Sequence, residues 1–183
     1  PYAIYHDRLA DGFRVIDQHE TDDILTELCQ QSPNFVRPLD CRYYFTTAGF
    51  ELEGANPNRR AAATAVLQRY WDWLQEHRQL DFEMILSCAH DLIASNPSIS
   101  VLLGSLFRYI LVDEYQDTKE IQYAIVATIL RASTGNTRTF IVGDPNQAIY
   151  GSLGGYAMGG LESVSYTHLT LPTKRIVQTP MDV

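Results

Sequence analysis

Two short apolar runs, each closing on acidic residues, constrain this chain more than any other feature. Tyr109-Ile110-Leu111-Val112 runs into Asp113-Glu114, and Thr139-Phe140-Ile141-Val142 runs into Gly143-Asp144. Continuous rather than alternating apolar runs suit strands buried on both faces of a parallel sheet. Between them, Thr118 can cap a helix carrying Ile121, Ile125, Ile129 and Leu130, and Gly135-Asn136 breaks it. Strand, helix and strand of these lengths make a βαβ unit, which predicts an α/β fold for the second part of the chain.

The first part, to about residue 79, reads as mostly helical. Phe13-Arg14-Val15-Ile16-Asp17 is a short apolar run after Gly12. Thr21 offers an N-cap, with Asp22 and Asp23 in the first turn, for a helix through about Gln31. Pro33, Pro38, Gly49 and Gly54 make residues 32–55 irregular. Asn56-Pro57 opens a long amphipathic helix, with Ala63, Val66, Leu67, Tyr70 and Leu74 at helical spacing to about His77. A second helix follows Asp81 with Phe82, Ile85, Leu86, Ala89 and Ile93, and Asn96-Pro97 starts a third that ends near Phe107. No internal repeat is visible.

Composition narrows the function classes. At 183 residues and 45% hydrophobic content, the chain can build one domain or parts of two. Charged residues make up 20% without a long single-sign block, which argues against a disordered or tail-like protein. The net charge of −8 counts against a nucleic-acid binder, although a local groove can be basic on an acidic protein. Cys29, Cys41 and Cys88 form no CxxC pair. That argues against a disulfide framework or zinc site and for a reducing, intracellular compartment. No apolar run reaches the ~20 residues of a membrane-spanning helix. Pro1-Tyr2-Ala3-Ile4 has neither an initiator Met nor a signal-peptide pattern, and reads as the interior of a longer chain.

The acidic strand ends carry the chemistry. Ligands of open parallel sheets sit at the carboxyl ends of strands, and two adjacent strands delivering carboxylates there can hold a divalent cation. Magnesium takes hard oxygen ligands and keeps several waters, which suits Asp113. Glu114, pointing elsewhere, can orient and deprotonate an attacking water. Gln147 offers an amide that can sense a terminal phosphate or its water. An isolated apolar-Asp-Glu would be only a strand end and a polar turn, so the neighbouring residues decide.

Val112-Asp113-Glu114-Tyr115-Gln116-Asp117-Thr118 resembles the Walker B segment of UvrD/Rep-type superfamily 1 DNA helicases. Val142-Gly143-Asp144-Pro145-Asn146-Gln147-Ala148-Ile149-Tyr150-Gly151 resembles their third helicase motif. Leu80-Asp81-Phe82-Glu83-Met84-Ile85-Leu86 is similar to the segment leading back into the motor domain, and Gly12 to Leu28 to part of the helical insertion. The likeness spans most of residues 12–155.

The resemblance implies a partial RecA-like P-loop NTPase motor domain with a mostly helical insertion. Residues 1–79 would be the partial insertion and 80–163 the motor segment. It implies an ATP-dependent DNA helicase working 3′ to 5′ on single-stranded and duplex DNA, with ATP and Mg2+, in a bacterial-type cytoplasm. Asp113 would hold magnesium, Glu114 would be the catalytic base, and Gln147 would couple the γ-phosphate to the DNA groove. Gln116, Asp117 and Asp144 would support the ATP site, and Tyr150 would lie near single-stranded DNA. Two other readings stand beside it: the motor part of a helicase–nuclease, and an ATP-dependent clamp or interaction module that does not unwind.

The chain also departs from the family. Ser152 and Leu153 stand where members usually place an aromatic and then an Arg, so Ser152 offers only a weak DNA contact. No Gly-Lys-Ser/Thr loop occurs; the family places it upstream, and the chain alone is not expected to turn over ATP. Arg42-Tyr43-Tyr44-Phe45 mixes a cation with aromatics, a pattern that suits DNA contact or, more simply, core packing. Tyr70, Trp71 and Trp73 read as helix core or interface, and Arg59-Arg60 as a solvated face. Val164 to Thr173 resembles one translated frame of a sequencing adapter, which implies that residues 164–183 are an artefactual tail; a genuine edge strand is the alternative.

Overall fold

The computed structural model describes residue 6, residues 9–135 and 137–143, and the backbone of residues 167–171 and 174–179. The chain divides into two compact units, Pro1–Leu92 and Ile93–Val183.

In the first unit, β1 (Arg14–Val15) pairs in parallel with β4 (Gln79–Leu80). Helix α1 (Gln18–Gln30) is capped by Asp17 rather than Thr21. Asp17 Oδ1 accepts the Glu20 N–H at 2.9 Å, and Glu20 Oε2 accepts the Asp17 N–H at 3.2 Å. This reciprocal box satisfies two orphan donors at once, which a lone Thr cap cannot do. Thr21 is instead buried within the helix, its Oγ1 3.3 Å from Tyr70 Oη.

Residues 32–55 are more regular than their prolines and glycines suggest. A 3₁₀ turn (Pro38–Cys41) leads into an antiparallel hairpin of β2 (Tyr43–Thr46) and β3 (Gly49–Leu52). Tyr43 and Tyr44 are buried, and Trp71 packs edge-on to Tyr43 and Phe50 at centroid distances of 5.3 and 4.8 Å. The Arg42–Phe45 segment therefore serves packing. Beneath the turn, buried Asp40 accepts hydrogen bonds from Arg37 Nε and Nη2 at 3.0 Å and from Arg59 Nη1 at 3.1 Å. Arg59 also lies over the Phe35 ring at 4.8 Å. It is thus a paired residue and not part of a solvated face, because a buried carboxylate requires a cation.

Asn56 caps a 3₁₀ turn (Pro57–Arg59) that runs into α2 (Arg60–Glu76). Ala63, Val66, Leu67, Tyr70 and Leu74 are buried along it, as their spacing predicts. They share one core with Leu25, Leu28, Cys29 and Met84. Asp81 is buried at the start of α3 (Phe82–Ser95). Tyr43 and Tyr70 each donate a phenolic hydrogen bond to its Oδ2 at 2.8 Å, and the Met84 N–H donates to Oδ1 at 2.8 Å. Burial first, and then the Asp81 charge, push both phenols well above the usual tyrosine range. This inward-turned cap sets the rotation of α3, so Met84 and Cys88 are buried while Phe82, expected inside, is exposed.

In the second unit, α4 (Pro97–Leu106) precedes β5 (Tyr109–Val112), and α5 (Glu120–Ala132) precedes β6 (Arg138–Val142). Strands β5 and β6 pair in parallel, with Tyr109 opposite Arg138 and Val112 opposite Ile141, so the βαβ unit forms as expected. Lys119 rather than Thr118 is the N-cap of α5; its N–H donates to Gln122 Oε1 at 2.9 Å. Strand β5 is not buried on both faces among the described residues, whereas in β6 Thr139 is buried and Phe140, Ile141 and Val142 are half-buried. Ile110 and Val112 are half-buried, whereas Tyr109 is exposed and Leu111 is 76% exposed. β8 (Lys174–Thr179) pairs antiparallel with β6, and β7 (Thr167–Leu171) pairs antiparallel with β8. Among the described residues, no helix is long and apolar enough to cross a membrane.

Candidate functional site

Val112 ends β5, and the next two side chains, Asp113 and Glu114, are exposed at its carboxyl end. The chain then folds back through a 3₁₀ turn (Tyr115–Asp117), with Asp117 N–H donating to Glu114 O at 2.9 Å and Thr118 N–H to Tyr115 O at 3.0 Å. Glu114 enters that turn in the left-handed region, at φ 49° and ψ 47°. This conformation lets the chain reverse immediately after the strand and separates the directions of adjacent side chains. Asp113 Oδ1 accepts the Glu114 N–H at 3.0 Å. Gln116 is buried, and its Nε2 donates to Glu114 Oε2 at 2.6 Å. One oxygen of the exposed Glu114 carboxylate is therefore tethered to a residue fixed in the interior. Asp117 Oδ1 is buried and has no hydrogen-bond partner among the described residues.

The parallel register brings the carboxyl ends of β5 and β6 to the same sheet edge. There Gly143 lies close against Tyr115 and Gln116. A Cβ at that position would fall on Gln116 Oε1, 2.6 Å from Tyr115 Cδ1 and 2.8 Å from the Tyr115 backbone nitrogen. Only a residue without a side chain allows β6 to end against the Tyr115 backbone and the Tyr115 and Gln116 side chains. The sequence shows a glycine between an apolar run and Asp144. Its contact partners appear only once the strands are paired.

Of the residues singled out in the sequence, Asp113, Glu114, Gln116 and Asp117 are gathered in this one turn. Asp144, Gln147, Tyr150 and Ser152 lie outside the described residues. Among the described residues, no group of three or more His, Cys, Asp or Glu side chains converges. Of the described side chains in the turn, the exposed strand-end carboxylate of Asp113 is of the hard-oxygen type that could hold a divalent cation.

Residues 3–158 match the family model described as UvrD/REP helicase N-terminal domain. The chain is similar to DNA helicase II of Haemophilus influenzae, 35% identical over 101 residues, covering 55% of this chain and 14% of that protein. It is 41% identical over 86 residues to DNA helicase II of Escherichia coli, covering 47% and 12%. A probable DNA helicase II homolog of Mycoplasma capricolum is 27% identical over 160 residues, covering 79% and 22%. The chain thus spans less than a quarter of the length of these relatives.

Proposed function

The chain belongs to the UvrD/REP helicase N-terminal domain family, and on that premise we propose that it is a piece of the first motor domain of an ATP-dependent DNA helicase. In this reading residues 80–163 are RecA-like motor, residues 1–79 are part of a helical insertion, and residues 164–183 are foreign. The parent couples ATP hydrolysis to 3′-to-5′ movement on single-stranded DNA and separates duplexes, in the cytoplasm of a bacterial-type cell. The observation that carries the proposal is the strand-end turn in which Asp113 and Glu114 are presented together and the buried Gln116 amide holds Glu114.

Within that turn each residue takes a separate role in this proposal. Asp113 is the residue that would hold magnesium, which when bound neutralises charge on the phosphate oxygens. Glu114 keeps one carboxylate oxygen for a water while the other is tied to Gln116, so the base is oriented before substrate arrives. Gln116 acts through Glu114 and is a positioning residue. Gln147 is assigned to the terminal phosphate and Tyr150 to single-stranded DNA, with Asp117 and Asp144 in support.

The test is Glu114→Gln in the full-length parent. The amide keeps the shape and the contact to Gln116 but takes no proton, so DNA-stimulated hydrolysis falls by about 10²-fold or more while nucleotide binding persists. Turnover within a few-fold of wild type would remove Glu114 from the role of base. A second reading, an ATP-dependent clamp that does not unwind, is favoured by Ser152 and Leu153, which leave the DNA groove without its usual aromatic and Arg. A strand-separation assay distinguishes the two: hydrolysis stimulated by DNA without displacement of a labelled strand supports the clamp.

A further inference from the structure

The thiols of Cys29 and Cys41 have no part in the hydrolysis chemistry, yet they meet at a short distance. Cys29 lies in the last turn of α1 and Cys41 ends the 3₁₀ turn before β2. Their Sγ atoms are 3.8 Å apart across a sequence separation of 12 residues. We propose that Cys29 and Cys41 are a dithiol site that a peroxide-class oxidant converts to an intramolecular disulfide, reversibly linking α1 to the Pro38–Cys41 turn.

Distance and connectivity support this. A disulfide needs the sulfurs at about 2.05 Å, so the pair must close by roughly 1.8 Å. Side-chain rotation can supply part of that, and residues 31–37 between the two elements form neither helix nor strand and can supply the rest. Cys88, the third cysteine, is also buried, and its fate is followed in the same digest. Access is from the Cys29 side, which is 8% exposed against 0% for Cys41.

The chemistry balances with hydrogen peroxide as oxidant. The Cys29 thiolate attacks one peroxide oxygen, the O–O bond breaks, and the released hydroxide takes up a proton to leave as water. Cys29 is then a sulfenic acid. Cys41 Sγ attacks that sulfur, the S–O bond breaks, and the hydroxyl leaves as a second water with the Cys41 proton. Two thiols lose two electrons and two protons, and one peroxide becomes two waters. Burial pushes both thiols up, which makes the first step slow. The contact between them lowers Cys29 and raises Cys41, so Cys29 is the sulfur that attacks first.

The experiment uses the 183-residue chain in native buffer. It is treated with hydrogen peroxide, unfolded in excess N-ethylmaleimide, digested and mapped by mass spectrometry. The expected product is a Cys29–Cys41 cross-linked peptide two hydrogens lighter than the thiol pair, restored by dithiothreitol, with Cys88 recovered alkylated. The oxidised chain should melt higher than the reduced one by about 5 °C, since the link restricts the unfolded chain. Cys29→Ser and Cys41→Ser should each abolish both effects. Recovery of Cys29 and Cys41 as alkylated thiols, under conditions that oxidise the same chain in urea, would overturn the proposal. So would equal yields of disulfides to Cys88, or an oxidised chain that melts lower.

Discussion

Glu114 holds a backbone conformation, φ 49° and ψ 47°, that disfavours any residue with a Cβ by about 1–2 kcal/mol. A strained residue at a strand end is tolerated where the surroundings fix it, and here the Asp113 carboxylate, the Gln116 amide and the Asp117 N–H do so. Comparing two truncations isolates the strain. Glu114→Gly should be about 1 kcal/mol more stable than Glu114→Ala by denaturant melting, the reverse of the usual order in regular structure. Equal stabilities, or Ala above Gly, would mean that the turn relaxes out of the left-handed region. A second residue carries a pH signature. Hydrogen bonds from Arg37 hold the Asp40 carboxyl well below the usual carboxylate range, against the opposing effect of burial. A depressed folded value means that this contribution is complete above the unfolded value of about 3.9 and is lost as the pH falls towards the folded one. Asp40→Asn should therefore be less stable than wild type at neutral pH, and the gap should narrow as the pH drops below about 4. Parallel acid limbs for the two proteins would exclude Asp40 as a source of the slope.

The same reasoning extends to whole elements. Helices α4 and α5 approach closely where Gly104 faces Ser133: a Cβ on Gly104 would lie 2.8 Å from both the Ser133 Cα and its backbone nitrogen. Gly104→Ala should thus cost about 1–3 kcal/mol in a denaturant melt, despite the better helix propensity of alanine. A gain in stability would show that the pair can slide apart freely. Much of this level was legible in the sequence. α2 was readable because five apolar residues repeat at helical spacing behind Asn56-Pro57, and β5 and β6 because continuous apolar runs flank a helix of the right length. The hairpin of β2 and β3 was not. Its two-residue connection is Thr47-Ala48, without an Asn-Gly or Asp-Gly signature, and its order derives from Tyr43 and Trp71, which meet only in three dimensions. The cap at Asp17 was misread because Thr21, followed by two acidic residues suited to a first turn, offered the same signal four residues further on. The candidate site was legible to the same degree. Asp113 and Glu114 follow from strand-end chemistry and the motif, whereas the tether from Gln116 and the contact that requires Gly143 depend on the reverse turn.

At the scale of the molecule, the features that stand out are the two sides of the sheet and its margins. β5 and β6 are parallel, and β8 joins β6 in the opposite direction with only the Lys174–Thr179 backbone described. If residues 164–183 are adapter-derived, they were never selected against the domain in front of them. Deleting Val164 to Val183 should then leave the denaturant midpoint within error, whereas loss of a native strand would cost several kcal/mol. A clear drop in the midpoint would identify the tail as part of the protein. The pairing also has a colloidal consequence. Backbone N–H and C=O groups along β6 accept a strand without regard to its side chains, so removing β8 leaves a row of them open to water. Leu111, already 76% exposed on the neighbouring strand β5, adds an apolar contact on the same sheet. The shortened chain should consequently be as stable as the long one in dilute solution and yet cloud sooner as it is concentrated, its molecules docking margin to margin. Solubility and folding stability would then part company in a single deletion.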